Sequence, residues 1–190
     1  MILRSGVLGI CACACIASVA DARPASTGFF AEGGAGVVDF LPSASNDASI
    51  GPAFDIRVGR DLFSWLSLGG YIAASSHEAT VPPPPSGQWF QLYRGGADAR
   101  LGALFDRVAA FVEGGVGESM ISSNVLEKVM ITKPGKSFSF TIHGGAGFEY
   151  QLENRHYAVG LAVDAFIEPQ FKSMKALETR LYLRYTYGGG

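Results

Sequence analysis

The charged residues of this chain keep step with a period of two, and that single regularity leaves few folds open. In 51–60, Phe54, Ile56 and Val58 alternate with Asp55 and Arg57. In 89–104, Tyr93, Gly95, Ala97, Ala99, Leu101 and Ala103 alternate with Arg94, Asp98 and Arg100. In 137–152, Phe138, Phe140, Ile142, Ala146, Phe148, Tyr150 and Leu152 oppose Ser139, Thr141, His143 and Glu149. In 157–168, Tyr157, Val159, Leu161, Val163, Ala165 and Ile167 oppose Asp164 and Glu168, and in 178–187 Leu181, Leu183, Tyr185 and Tyr187 oppose Arg180, Arg184 and Thr186. Three Gly-rich segments, 28–40, 65–75 and 108–118, carry Glu32 and Glu113 in the same scheme. Side chains two apart share one face of a strand. A helical period would scatter the charges around the axis. Within the body of each segment the charges occupy one parity, so eight amphipathic strands are expected.

Alternation also suits a soluble barrel with an aromatic core, similar to a lipocalin, whose charged face meets water. Two further features point to lipid. The apolar face continues through all eight segments, and a membrane tolerates no open sheet edge, so the sheet must close. The connections alternate in length: short near 61–64, 105–107 and 153–156, long near 41–50, 76–88, 119–136 and 169–177. Short turns on one side and longer loops on the other mark outer-membrane barrels, as do aromatic girdles. Phe29, Phe63, Trp65, Phe105, Tyr157 and Tyr187 are expected to form the girdle at the short-turn end, and Phe40, Trp89, Phe90, Phe138 and Phe171 the one toward the long loops. After the N-terminal segment, no run approaches the ~18 apolar residues of a transmembrane helix.

Residues 1–22 read as a secretory signal: Arg4, an apolar run from Val7 to Val19, then Ala20-Asp21-Ala22 as the small-x-small cleavage pattern. The exported part would be 23–190. Cys11, Cys13 and Cys15 all fall in the signal, which removes disulfides, thiolate catalysis and cysteine metal sites from the mature chain. The alternative is lipidation at Cys13 or Cys15. A net charge of −2 gives no basic footprint for nucleic acid.

One short element recurs: Glu32-Gly33-Gly34-Ala35-Gly36, Glu113-Gly114-Gly115-Val116-Gly117 and His143-Gly144-Gly145-Ala146-Gly147. Mid-strand glycine permits curvature and close packing in a narrow barrel. A phosphate-cradling loop would need a following helix and the Gly-Lys-Ser/Thr ending, which are lacking. With Phe29-Phe30-Ala31-Glu32-Gly33-Gly34 and the amphipathic Leu181–Tyr187, this repeat makes residues 28–187 resemble the small eight-stranded outer-membrane barrels similar to the membrane domain of outer-membrane protein A. The resemblance implies an all-β, eight-stranded antiparallel up-and-down transmembrane barrel in a bacterial outer membrane. Many members finish on an aromatic residue, whereas here Gly188-Gly189-Gly190 follow Tyr187.

The expected interior sets Arg57, Arg94, Arg100, Arg180 and Arg184 against Glu32, Asp55, Asp98, Glu113, Glu149, Asp164 and Glu168, with His143 among them. The lumen of an eight-stranded barrel is just filled by side chains, so these groups are expected to form a structural charge network that plugs it. Ser139 and His143, the pair that a lipid deacylase would need, lie roughly 13 Å apart along one strand. No three-ligand metal set is visible, and no cofactor is expected. The expected function is a non-enzymatic anchor or surface interaction and adhesion component, within a larger envelope or motility assembly. The alternatives are a small lumen-gated channel and a lipid-modifying barrel enzyme. Expected partners are outer-membrane lipid and an extracellular or envelope protein meeting loops 41–50, 76–88, 119–136 and 169–177. The Pro82–Pro85 run in the second loop is read as a stiff spacer or a recognition surface.

Overall fold

A computed structural model describes residues 28–42, 48–79, 89–122, 137–153, 156–171 and 173–188; the expected signal segment lies outside them. Eight strands follow in order: β1 Gly28–Phe40, β2 Gly51–Phe63, β3 Leu66–Glu78, β4 Trp89–Phe105, β5 Val108–Ile121, β6 Phe138–Gln151, β7 Tyr157–Glu168 and β8 Met174–Gly188. Each pairs antiparallel with the next. β1 returns to β8 from Gly28↔Gly188 to Phe40↔Ala176, so the sheet is a closed up-and-down barrel without an edge. Closure satisfies every strand's backbone within the sheet, the condition for crossing lipid with β-structure.

The alternating pattern sets the faces. Phe54 (64% exposed), Ile72 (63%), Phe148 (62%) and Leu181 (59%) point outward, while Glu32, Arg180 and Arg184 are buried at 2% or less. This inverts the usual soluble arrangement and makes the fold a transmembrane barrel, apolar outside and polar within. Three glycines of the repeats show what the small residue provides. A Cβ at Gly34 would overlap the Asp55 carboxylate, one at Gly145 the Asp164 carboxylate, and one at Gly115 the His143 ring. The repeats therefore make room for lumenal polar groups on a neighbouring strand.

Three expectations need correction. First, the strands run further than their clean alternation: β2 to Phe63, β3 to Glu78, β5 to Ile121, and β8 from Met174. The fourth outer connection shrinks to 169–173, no longer than the 152–156 turn on the other side, so the length alternation fails there. Second, the single parity of charges holds mid-strand but breaks at the ends. Asp39, Arg60, Glu118 and Lys175 are exposed on the outer face, and Glu78 is half-exposed. Charges there lie near the interface, where their cost falls toward zero. Third, the girdle toward the long loops is smaller than expected. Trp89 and Phe138 face outward, but Phe40 (3% exposed), Phe90 (0%) and Phe171 (0%) are inside. Phe90 follows Trp89 and so must face the opposite way. All six aromatics expected at the short-turn end are exposed outward.

Candidate functional site

The inward positions sort into layers along the barrel axis. At the long-loop end sits an apolar plug that includes Phe40, Phe90, Leu92, Ile121, Phe166 and Phe171. Connecting segments complete it. Phe171 comes from the β7–β8 loop, and Ala48 and Ala79 meet there as an isolated bridge. His77 is embedded in this layer between Phe40 and Phe90. Its Nδ1–H donates to the Ser49 carbonyl at 2.9 Å, so Nε2 is left to accept from the Ser75 hydroxyl at 2.8 Å. The sequence had placed His77 in a loop; it is a fully buried member of β3.

Mid-barrel, the charges converge. Glu32 on β1 is flanked in register by Arg57 on β2 and Arg184 on β8. Its carboxylate accepts from Arg180 Nη1 at 2.6 Å and from Arg100 Nη2 at 3.2 Å, with Arg184 Nη1 at 3.8 Å. Glu113 gathers Arg57 Nη1 at 3.2 Å, Arg100 Nη2 at 2.9 Å and the Arg180 guanidinium. Arg57 also donates to Asp55 at 3.1 Å and to Asp98 at 2.7 Å, and Arg180 reaches Asp164 at 3.3 Å. Glu149 takes Arg100 Nη1 at 3.4 Å and the Tyr182 hydroxyl at 3.2 Å. Below, Arg184 donates to Asp61 at 2.5 Å, and Ser67 donates to the same carboxylate. Above, Arg94 donates to Glu178 at 2.7 Å.

The guanidinium edges meet carboxylates while their faces meet rings. Arg100 lies 4.2 Å over Phe111, Arg184 3.9 Å over Phe30, and Arg94 4.0 Å over Phe166. A planar guanidinium suits both contacts at once, and a lysine would not. Each charge is buried inside the barrel, where removing one partner leaves the other bare.

Of the residues marked by sequence, eleven make ion pairs in these layers: Glu32, Asp55, Arg57, Arg94, Asp98, Arg100, Glu113, Glu149, Asp164, Arg180 and Arg184. His143 stands apart from those bonds, its ring edge-on to Tyr71 at 4.8 Å. Glu168 is buried at 0% with neither carboxylate oxygen accepting a hydrogen bond. Sequence reading missed Asp61, Glu178 and Tyr182. Asp61 shares the parity of Asp55 and Arg57 but was assigned to a turn, and Glu178 shares the parity of Arg180. Ser139 and His143 make no contact: the Ser139 hydroxyl donates to Gln170 Oε1 at 2.7 Å, toward the rim. Among the described residues, no three of His, Cys, Asp and Glu gather as metal ligands.

No protein-family model matches this sequence, and no curated protein matches it. Solved structures do match. Neisserial surface protein A superposes with a TM-score of 0.63 at 14% identity, covering 86% of this chain and 100% of that one. The outer membrane protein OprG from Pseudomonas aeruginosa gives 0.60 at 12% identity over 89% and 100%. The N-terminal β-barrel domain of Pseudomonas aeruginosa OprF gives 0.52 at 13% identity over 85% and 99%. At such identities the shared property is the fold, that of the small eight-stranded outer-membrane barrels.

Proposed function

We propose that this chain is a sealed, non-enzymatic barrel of a bacterial outer membrane, which anchors a loop surface for contact with an extracellular or envelope partner. The observation that carries this reading is the filled interior. A pore needs a continuous wet path. Here the mid-barrel ion pairs interlock across strands, and the plug adds a second, apolar seal above them. The interior groups serve as a structural network, fixing the strands relative to one another.

The working surface is then what the barrel holds in place: the connections 41–50, 79–88 and 122–137, with Phe171 of the short β7–β8 connection turned inward as part of the seal. The Ala20-Asp21-Ala22 pattern supports export by a cleaved signal, with the mature chain starting near Arg23; N-terminal sequencing of the membrane form tests it.

Two experiments test the function. The purified barrel in a planar bilayer should pass no steady current, and regular single-channel steps would replace the anchor reading with a channel. Exchanging loop 80–88 for a short Gly-Ser linker should leave the heat-modifiable gel shift of the folded barrel intact while weakening surface attachment or envelope integrity in cells. If every cellular phenotype survives that exchange and the equivalent exchange of 123–136, the loops are not the working part.

A further inference from the structure

Two arginines among the described residues are exposed, and only one of them has an acid. Arg107, in the β4–β5 turn, lies 3.6 Å from Glu153. Arg60, on the outer wall of β2, makes no ion pair or hydrogen bond among the described residues. Its neighbours on that wall are Val58 and Leu62 along β2, Phe29 across on β1 and Leu68 across on β3. All four are apolar and exposed. The next residue, Asp61, turns inward to Arg184 and Ser67. The Arg60 guanidinium is nevertheless held in place: it lies over the Phe29 ring, 5.4 Å from the ring centre. Stacking by one face leaves its N–H edges free to donate.

Position says what those edges meet. Phe29 pairs in register with both Arg60 and Tyr187. Just beyond, at the short-turn end, Phe63 stacks on Trp65 with ring centres 5.5 Å apart. All four aromatics face outward, and such girdles mark the level of lipid headgroups. A long arginine on a lipid-facing wall extends its charge toward that level. There a guanidinium edge meets phosphate oxygens, which it grips through paired N–H···O bonds. The wall offers Arg60 no carboxylate, so the lipid is the source of its counter-charge.

We propose that Arg60, held by Phe29 and rimmed by Trp65 and Tyr187, is a headgroup site for an anionic phospholipid in the leaflet at the short-turn end. The site rests on the reading of this chain as a membrane-seated barrel. It selects a lipid whose phosphate carries net charge, because in a zwitterionic lipid the headgroup's own ammonium competes with Arg60. Among the described residues the opposite rim is acidic, with Asp39, Glu78 and Glu118 against Lys175, so the preference belongs to one leaflet.

The test uses the folded barrel carrying Trp89→Phe, which leaves Trp65 as the single tryptophan. It is reconstituted at low salt in phosphatidylcholine bilayers that contain equal fractions of either brominated phosphatidylcholine or brominated phosphatidylglycerol. Bromine quenches tryptophan only at close range, so Trp65 emission reports which lipid stands beside it. Phosphatidylglycerol should be enriched there about threefold or more over phosphatidylcholine. Arg60→Gln should remove the enrichment, and Phe29→Leu should reduce it. Equal quenching by the two lipids would overturn the site, as would an enrichment that survives Arg60→Gln. Should Arg60→Gln fail to fold, Phe29→Leu decides: undiminished enrichment overturns the site and a reduced one supports it. No quenching by either lipid would overturn the site together with the membrane reading beneath it.

Discussion

The plug and the central charge layer fill the same tube by opposite means. The plug joins strand residues to pieces of loop, Phe171 and Ala48 among them, and its contacts are non-directional. The charge layer draws its ions from every strand but β3, in close register, and depends on hydrogen-bond geometry at about 3 Å. Apolar packing tolerates a shifted or shortened side chain if volume is roughly kept. A network of buried ions does not, because every group removed strands another. One barrel thus contains a forgiving seal above an unforgiving one.

That contrast can be broken most sharply at Arg180. Arg180→Ala would leave Glu32, Glu113 and Asp164 short of a partner, and should cost about 3–5 kcal/mol, read as a lowered urea midpoint of the folded barrel. Arg100→Ala should follow closely. A loss under 1 kcal/mol at Arg180 would mean the layer is hydrated and the contrast false. Next comes the outer face at the same height. Leu183 pairs with Gly33, one position from the Glu32↔Arg184 pair, and points to lipid at 49% exposure. Leu183→Arg should cost ~2–4 kcal/mol and impair membrane assembly, while Leu183→Ala is far milder. Equal tolerance of the two would contradict a lipid-facing surface.

In the plug, Phe90→Ala should cost about 2–3 kcal/mol, below the ~3–5 of a typical buried phenylalanine, because strand ends relax and fray more easily. Hydrogen exchange should quicken at the long-loop ends of β3 and β4 and stay slow at Glu32 and Glu113. Uniform quickening would show that the two layers unfold as one. The smallest effect belongs to the exposed Arg107–Glu153 pair at 3.6 Å, whose side chains are 49% and 88% exposed. Arg107→Ala should leave the urea midpoint unchanged, as solvated pairs contribute little.

How much of this the sequence disclosed follows from where period two applies. Mid-strand, each residue's face is decided by parity alone, so which charges turn inward could be read from the sequence. The same rule, carried further, would have turned Phe40 and Phe90 inward, since they share parity with Glu32 and Arg94. It would also have admitted Asp61 and Glu178. For Asp61 the cause was strand length: β2 runs past the expected end at 60 to Phe63, so Asp61 read as a turn residue, whereas Phe40, Phe90 and Glu178 lay within the segments as drawn. The inward fold of Phe171 was not legible. A loop side chain's direction is set by the volume left between distant strands, which no local pattern encodes. The partners within the layer were hidden for a similar reason: parity says that Arg180 faces inward, but the coiling of the sheet chooses which carboxylates it meets.

The closing seam between β1 and β8 bears on how such a chain comes to rest in a membrane. Glu32 lies in the first strand and its shortest ion-pair contact, Arg180, in the last, 148 residues later. Until β8 arrives, the first strand carries an acid without two of the guanidiniums that neutralise it, and contacts of such long sequence separation form late and slowly. Insertion of seven strands is therefore a poor stopping point. The final strand delivers both the last backbone ladder and the charges that make the interior tolerable, so unfinished barrels remain distinguishable from finished ones and open to removal.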